Sequence, residues 1–195
     1  MNIIVKNSEF KLIEKKSRFI ARSFIVSSES EAISAFEKIS SQFRDATHNV
    51  YAYRIAENSV LKIKFSDASE PKHTAGKPIA DLLSKLDLIN TLIIVTRYFG
   101  GIKLGAPGLL RAYLSSAKHV LDASKIEEYI PKYIIEISFG YNLIPQMDNL
   151  LKDRKHVMIL HKAFTEQVYY RISADKETIA LLSTKREVKI TELYC

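Results

Sequence analysis

The sequence predicts an α+β protein of two domains, and three observations point there. Leu88 to Val95 is an unbroken, β-branched, nearly uncharged run that suits a strand covered on both faces. Amphipathic helical stretches alternate with strand-like runs up to residue 122. After residue 123 a shorter and more regular order of strand, helix, strand, strand, helix, strand takes over. The switch falls at the polar stretch Asp122 to Glu128, so the domains are placed at 1–122 and 123–195.

In the first domain, Ser17 to Val26 alternates as a strand. Glu29 to Arg44 then carries Ala32, Ile33, Phe36, Ile39 and Phe43 at helical spacing, with Ser28 as its N-cap. Val50 to Ala56 and Val60 to Phe65 read as a hairpin closed by Glu57-Asn58-Ser59. A loop from Ser66 to His73 leads to a helix over Ala75 to Leu86, capped by Thr74. A strand at Thr91 to Thr96 and a helix at Pro107 to Leu121 complete the domain. The second domain reads as strand Tyr129 to Ser138, helix Ile144 to Arg154, strands Val157 to Ala163 and Gln167 to Ile172, helix Lys176 to Thr184 and strand Glu187 to Leu193. That βαββαβ order matches the ferredoxin-like plan, two helices over one face of a four-stranded antiparallel sheet.

Composition narrows the function classes. The chain has 195 residues, 47% hydrophobic and 26% charged, as in ordinary soluble proteins. It holds no apolar run of membrane-spanning length, and Met1 leads into NIIVKNSEFKLIEKKS, which lacks a secretory core, so a cytoplasmic protein with no membrane partner is expected. The single cysteine, Cys195, excludes disulfides within the chain and a cysteine-built zinc site. His156 and His161 stand at the two ends of one strand and point to opposite faces, so no metal site is expected. Of the net charge of +7, residues 1–122 hold +6. That asymmetry favours a polyanionic partner, nucleic acid above all.

The stretch TRYFGGIKLGAPGLLRAY, Thr96 to Tyr113, joins the buried strand to the next helix through glycines and basic side chains. No acid interrupts Arg97, Lys103, Arg111 and Lys118 between Leu88 and Leu121. Ala106 and Pro107 occupy the places where a Walker A loop needs Lys and Ser or Thr, and no G-x-G-x-x-G occurs, so no nucleotide cofactor is expected. The pattern suits an anion site in which amides around Gly100, Gly101 and Gly105, with the helix start near Pro107, receive a phosphate while Arg97, Lys103, Arg111 and Lys77 add charge. His48, beside a strand start, suits a phosphate or a backbone carbonyl. Tyr51, Tyr53, Tyr98, Phe99 and Tyr113 interleave with these cations either as base-stacking platforms or as core. Tyr51 and Tyr53 share one strand face, and Tyr98 and Phe99 are expected to be partly exposed.

Three segments together resemble the Impact/YigZ family: ATHNVYAYRI at Ala46 to Ile55, SDASEPKHTAGKPI at Ser66 to Ile79, and Thr96 to Tyr113. The resemblance implies an N-terminal domain with the α/β fold shared by domain IV of elongation factor G and the ribonuclease P protein component. It also implies a C-terminal ferredoxin-like domain similar to domain V of that factor, and a role in translation or stress control through RNA, ribosome or protein contacts. Where the family usually reads D-D-G-E-P, this chain keeps Asp67, Glu70 and Pro71 but places Ala68 and Ser69 at the second acid and the glycine. Losing one carboxylate favours binding over catalysis. Two alternatives stand beside an RNA-binding reading: a protein-interaction module, and a small-molecule hydrolase that requires Asp67, Glu70 and His73 to converge.

Overall fold

The computed structural model describes residues 1–57 and 60–194. It is a mixed α/β protein with several sheets, dividing into two compact units, Met1–Tyr129 and Ile130–Cys195. The division falls later than the boundary expected after residue 122, because the strand that follows the last helix of the first unit pairs back with the start of the chain. Among the described residues, no helix is long and apolar enough to cross a membrane.

The first unit opens with β1 (Asn2–Ile4), β2 (Ser8–Glu14), β3 (Ser17–Ile25) and α1 (Glu29–Gln42). It continues with β4 (His48–Glu57), β5 (Val60–Ser66), α2 (Gly76–Lys85), β6 (Thr91–Tyr98), α3 (Gly105–Ser124) and β7 (Ile126–Glu128). Five strands form an antiparallel sheet in the order β2-β3-β6-β4-β5. β1 and β7 form a separate antiparallel pair. Of the predicted loop Glu57-Asn58-Ser59, Asn58 and Ser59 lie outside the described residues, as does Cys195; Glu57 and Val60 pair across β4 and β5.

Period-two alternation explains the uninterrupted apolar run of β6. Ile93 and Val95 enter a core with Ile79 and Leu83 of α2 and Ala117 of α3, whereas Leu92 and Ile94 enter a second core with Ala32 and Ile39 of α1. Helices therefore cover both faces of the central strand. Each fully buried aliphatic side chain there contributes about 1.5–3 kcal/mol of burial free energy. Tyr53 packs in the α1 core, with Tyr51 against Phe36 beside it. Ser28 caps α1 as expected, its side-chain oxygen accepting from the Glu31 N–H.

The second unit comprises β8 (Tyr133–Phe139), a single 3-10 turn, α4 (Ile144–Lys152), β9 (Met158–Phe164), β10 (Val168–Ala174), α5 (Lys176–Ser183) and β11 (Lys189–Tyr194). Its antiparallel sheet has the order β11-β8-β10-β9. Ile135, Ile137, Tyr170 and Ile172 face Met147, Leu151 and Leu182 of the two helices in its core.

Candidate functional site

Strand register brings the three singled-out segments together. β4 pairs with β6 on one side, placing His48 opposite Arg97, and with β5 on the other, placing Tyr51 opposite Ser66. The loop after β5 and the loop after β6 consequently leave the sheet side by side. Between them and the start of α3 lies a cleft of about 410 Å³, lined by Thr47, His48, Ser69, Glu70, Pro71, Arg97, Phe99, Lys103, Leu104, Gly105, Ala106 and Leu109.

The inner wall of the cleft is a closed polar cluster. Arg97 is only 5% exposed and its Nη1 donates to Glu70 Oε1 at 2.6 Å. The buried Tyr113 hydroxyl donates to the same oxygen at 2.7 Å. Burial, and then the neighbouring Glu70 carboxylate, push the Tyr113 phenol well above its usual range, so it stays protonated as the donor. His48 Nδ1 lies 2.7 Å from the Ala68 carbonyl oxygen, which can only accept, so that nitrogen carries a proton. Its Nε2 faces Glu70 Oε1 at 3.8 Å. Arg97 is therefore largely neutralised, although among the described residues its buried Nε has no hydrogen-bond partner.

The outer wall is different. α3 begins at Gly105 rather than at Pro107, so the proline stands within the first turn, where its missing N–H leaves no gap in the helical ladder. Gly105 has φ +69, a left-handed conformation that glycine takes without strain. Leu104 supplies no side-chain cap and the first turn holds no acid. Among the described residues, no acceptor meets the N–H groups of Gly105 and Ala106. Lys103 stands exposed beside them, with no carboxylate within salt-bridge distance among the described residues. Phe99 is 46% exposed on the same rim.

Other expected site residues are placed elsewhere. The Gly100 N–H is occupied, donating to Ser17 Oγ at 3.1 Å, and a Cβ on Gly100 would fall 2.0 Å from the Lys16 carbonyl carbon. This glycine seats the β2–β3 hairpin and does not offer an amide to a ligand. Gly101 has φ +85 and is exposed. Tyr98 lies outside the cleft; its hydroxyl donates to Asp45 Oδ1 at 3.0 Å and Arg18 covers its ring at 4.3 Å. Tyr113 is core, with its ring edge-on to Phe19, and so offers no stacking platform. Lys77 is ion-paired with Asp81 in a groove between α2 and α3. Arg111 lies in a second groove, about 500 Å³, that shares Leu104 with the cleft and also holds Lys15, Lys118 and Glu14.

Lys15 is the functional candidate that sequence reading missed. It forms with Lys16 the two-residue turn between β2 and β3, both at positive φ, 45° and 65°. Such turns ordinarily show as Asn-Gly or Asp-Gly, so a Lys-Lys pair gives no signal.

The carboxylates do not assemble for catalysis. Asp67 Oδ1 accepts from the N–H groups of Ala75 and Gly76, at 3.1 and 2.8 Å, and Oδ2 from that of His73 at 2.9 Å. Asp67 thus caps α2 from a distance, in place of the expected Thr74, whose hydroxyl donates to the Pro71 carbonyl. Glu70 belongs to the Arg97 cluster, and His73 lines the α2–α3 groove. The convergence that a hydrolase requires is not present among these three residues.

Residues 15–121 match the model of the Impact N-terminal domain. The chain is 37% identical over 170 residues to IMPACT family member YvyE of Bacillus subtilis, covering 87% of this chain and 75% of that protein. It is 28% identical over 172 residues to an IMPACT family member of Haemophilus influenzae, covering 88% and 83% respectively. In structure it is similar to a crystallised protein described only as hypothetical, with a TM-score of 0.66, 24% identity, and coverage of 98% of this chain and 96% of that one. The chain belongs to the Impact family.

Proposed function

We propose that this Impact-family protein binds RNA, free or at a ribosomal surface, by receiving phosphates at the start of α3, and that it performs no catalysis. One observation carries the reading: the free Gly105 and Ala106 amides open into a cleft where Lys103 and exposed Phe99 stand together. A helix N-terminus favours an anion, the ammonium adds charge, and an exposed ring beside a phosphate site suits a stacked base. Arg111, Lys118 and Lys15 extend the positive surface along the next groove, where among the described residues three cations outnumber the one acid in the lining, Glu14. Arg97 acts from behind, holding Glu70 so that this carboxylate does not repel the ligand.

The βαββαβ order and the β11-β8-β10-β9 sheet support assigning the second unit to the ferredoxin-like plan. For the first unit we adopt the fold of elongation factor G domain IV, and for the whole chain the role in translation or stress control that the family resemblance implies, with RNA, the ribosome or a protein of translation control as partner.

The test is RNA-oligonucleotide binding across a salt series by the wild type and the Lys103→Ala, Arg111→Ala double variant. The wild type should bind with log K falling linearly against log salt, and the double variant should lower that slope by about 0.7 per cation removed on a single strand. Equal slopes would overturn the assignment of these two residues, and salt-independent binding the whole reading.

A further inference from the structure

α2 and α3 do not close against each other along their outer edges. They leave a groove of about 660 Å³ whose floor is Pro78, Leu82, Leu86, Leu110 and Leu114. Leu110 is 37% exposed, although it sits on a helix whose opposite face is fully buried in the core. Among the described residues, three lysines stand at the edge of the groove, Lys77, Lys85 and Lys118, against one acid, Asp81. That acid is already paired with Lys77, and among the described residues neither Lys85 nor Lys118 has a carboxylate within salt-bridge distance.

We propose that this groove docks an acidic amphipathic helix of a partner protein, separately from the phosphate cleft. An apolar trough between two helices accepts a third helix through side chains at i, i+3 or i+4, and i+7. The rim fixes the chemistry of the flanks: Asp or Glu beside those anchors meets Lys85 and Lys118, whereas a basic helix meets repulsion. The floor also argues against nucleic acid here. Its five residues are aliphatic, and the imidazole of His73 is the one aromatic ring in the lining among the described residues, so a base finds little to stack on, in contrast to the rim that carries Phe99.

The experiment is selection from a displayed library of helical peptides of about 15 residues, random in charge and apolar spacing, against the full-length protein. Counter-screening uses Leu110→Gln and Lys85→Glu, leaving in place Lys118, which also lines the neighbouring basic groove. Both substituted side chains are exposed, so thermal melting should coincide with that of the wild type. Selected peptides should share apolar anchors at helical spacing with acidic flanks. They should bind Leu110→Gln about tenfold or more weakly, and lose more affinity to the charge-reversed variant at low salt than at high salt. Failure to recover any peptide, recovery of peptides without acidic flanks, or equal binding by Leu110→Gln would overturn the proposal. So would loss of RNA-oligonucleotide affinity or of self-association in Leu110→Gln, since the occupant would then be nucleic acid or a second copy. Because Lys103, Arg111, Lys118 and Lys15 are untouched in these variants, failure here leaves the RNA-binding reading unaffected.

Discussion

Arg97 and Lys103 belong to one basic, glycine-rich segment, yet the fold assigns them opposite circumstances. Arg97, next to last in β6, is buried, with Glu70 and Tyr113 closing around it. Lys103 stands outside, next to amides that meet no acceptor among the described residues. The same division separates Gly100, whose amide and missing Cβ both serve the β2–β3 hairpin, from Gly105, whose amide is open. A cation or a glycine in a binding motif is thus half of a description; the other half is whether a carboxylate or a hydroxyl from another segment already meets it.

The inner half should respond chiefly in stability. Arg97→Ala leaves Glu70 buried without its main countercharge and is expected to cost about 3–5 kcal/mol in denaturant unfolding. Replacing the pair together, Arg97→Met with Glu70→Leu, should recover part of that loss, because two apolar groups leave no buried charge behind and only the Tyr113 hydroxyl loses its acceptor. Gly100→Ala pushes a methyl into the Lys16 backbone and is expected to cost about 3 kcal/mol, whereas a substitution on exposed Lys103 should stay within about 0.5 kcal/mol.

A smaller effect reports on charges remote from the cleft. The Glu29 carboxyl is held at about 2 instead of its ordinary 4.5, first by the Lys64 ammonium and then by the Tyr53 hydroxyl. A carboxyl whose folded value is depressed contributes stability that is complete above pH 4.5 and is lost as pH falls towards 2. Melting temperature measured over that interval should fall less steeply for Glu29→Gln than for the wild type.

Much of the fold was legible because one signal dominated each element. The period of β6, the Ser28 cap and the regular order of the second unit are local, and the observed strands and helices follow them closely. What was missed depends on distance. β2 lacks a recognisable turn after it, β7 is a short exposed Ile-Glu-Glu, and β1 and β7 exist as strands only because the two ends of the first unit meet. The site shows the same limit. Positive charge near a helix start was readable from Lys103 and Gly105, but the partner that removes Arg97 from it, Glu70, arrives from another loop through the pairing of β4 with both β5 and β6. Asp67 read as a candidate acid because capping across a loop leaves no mark in sequence spacing.

The division between inner and outer charges is tested most directly by the salt dependence of RNA binding in the Arg97→Met, Glu70→Leu variant. With the inner pair neutralised and the fold retained, the slope of log K against log salt should equal that of the wild type, because Arg97 releases no counterion from RNA. A slope reduced by about 0.7, as for a lost phosphate contact on a single strand, would place Arg97 on the ligand and contradict the account.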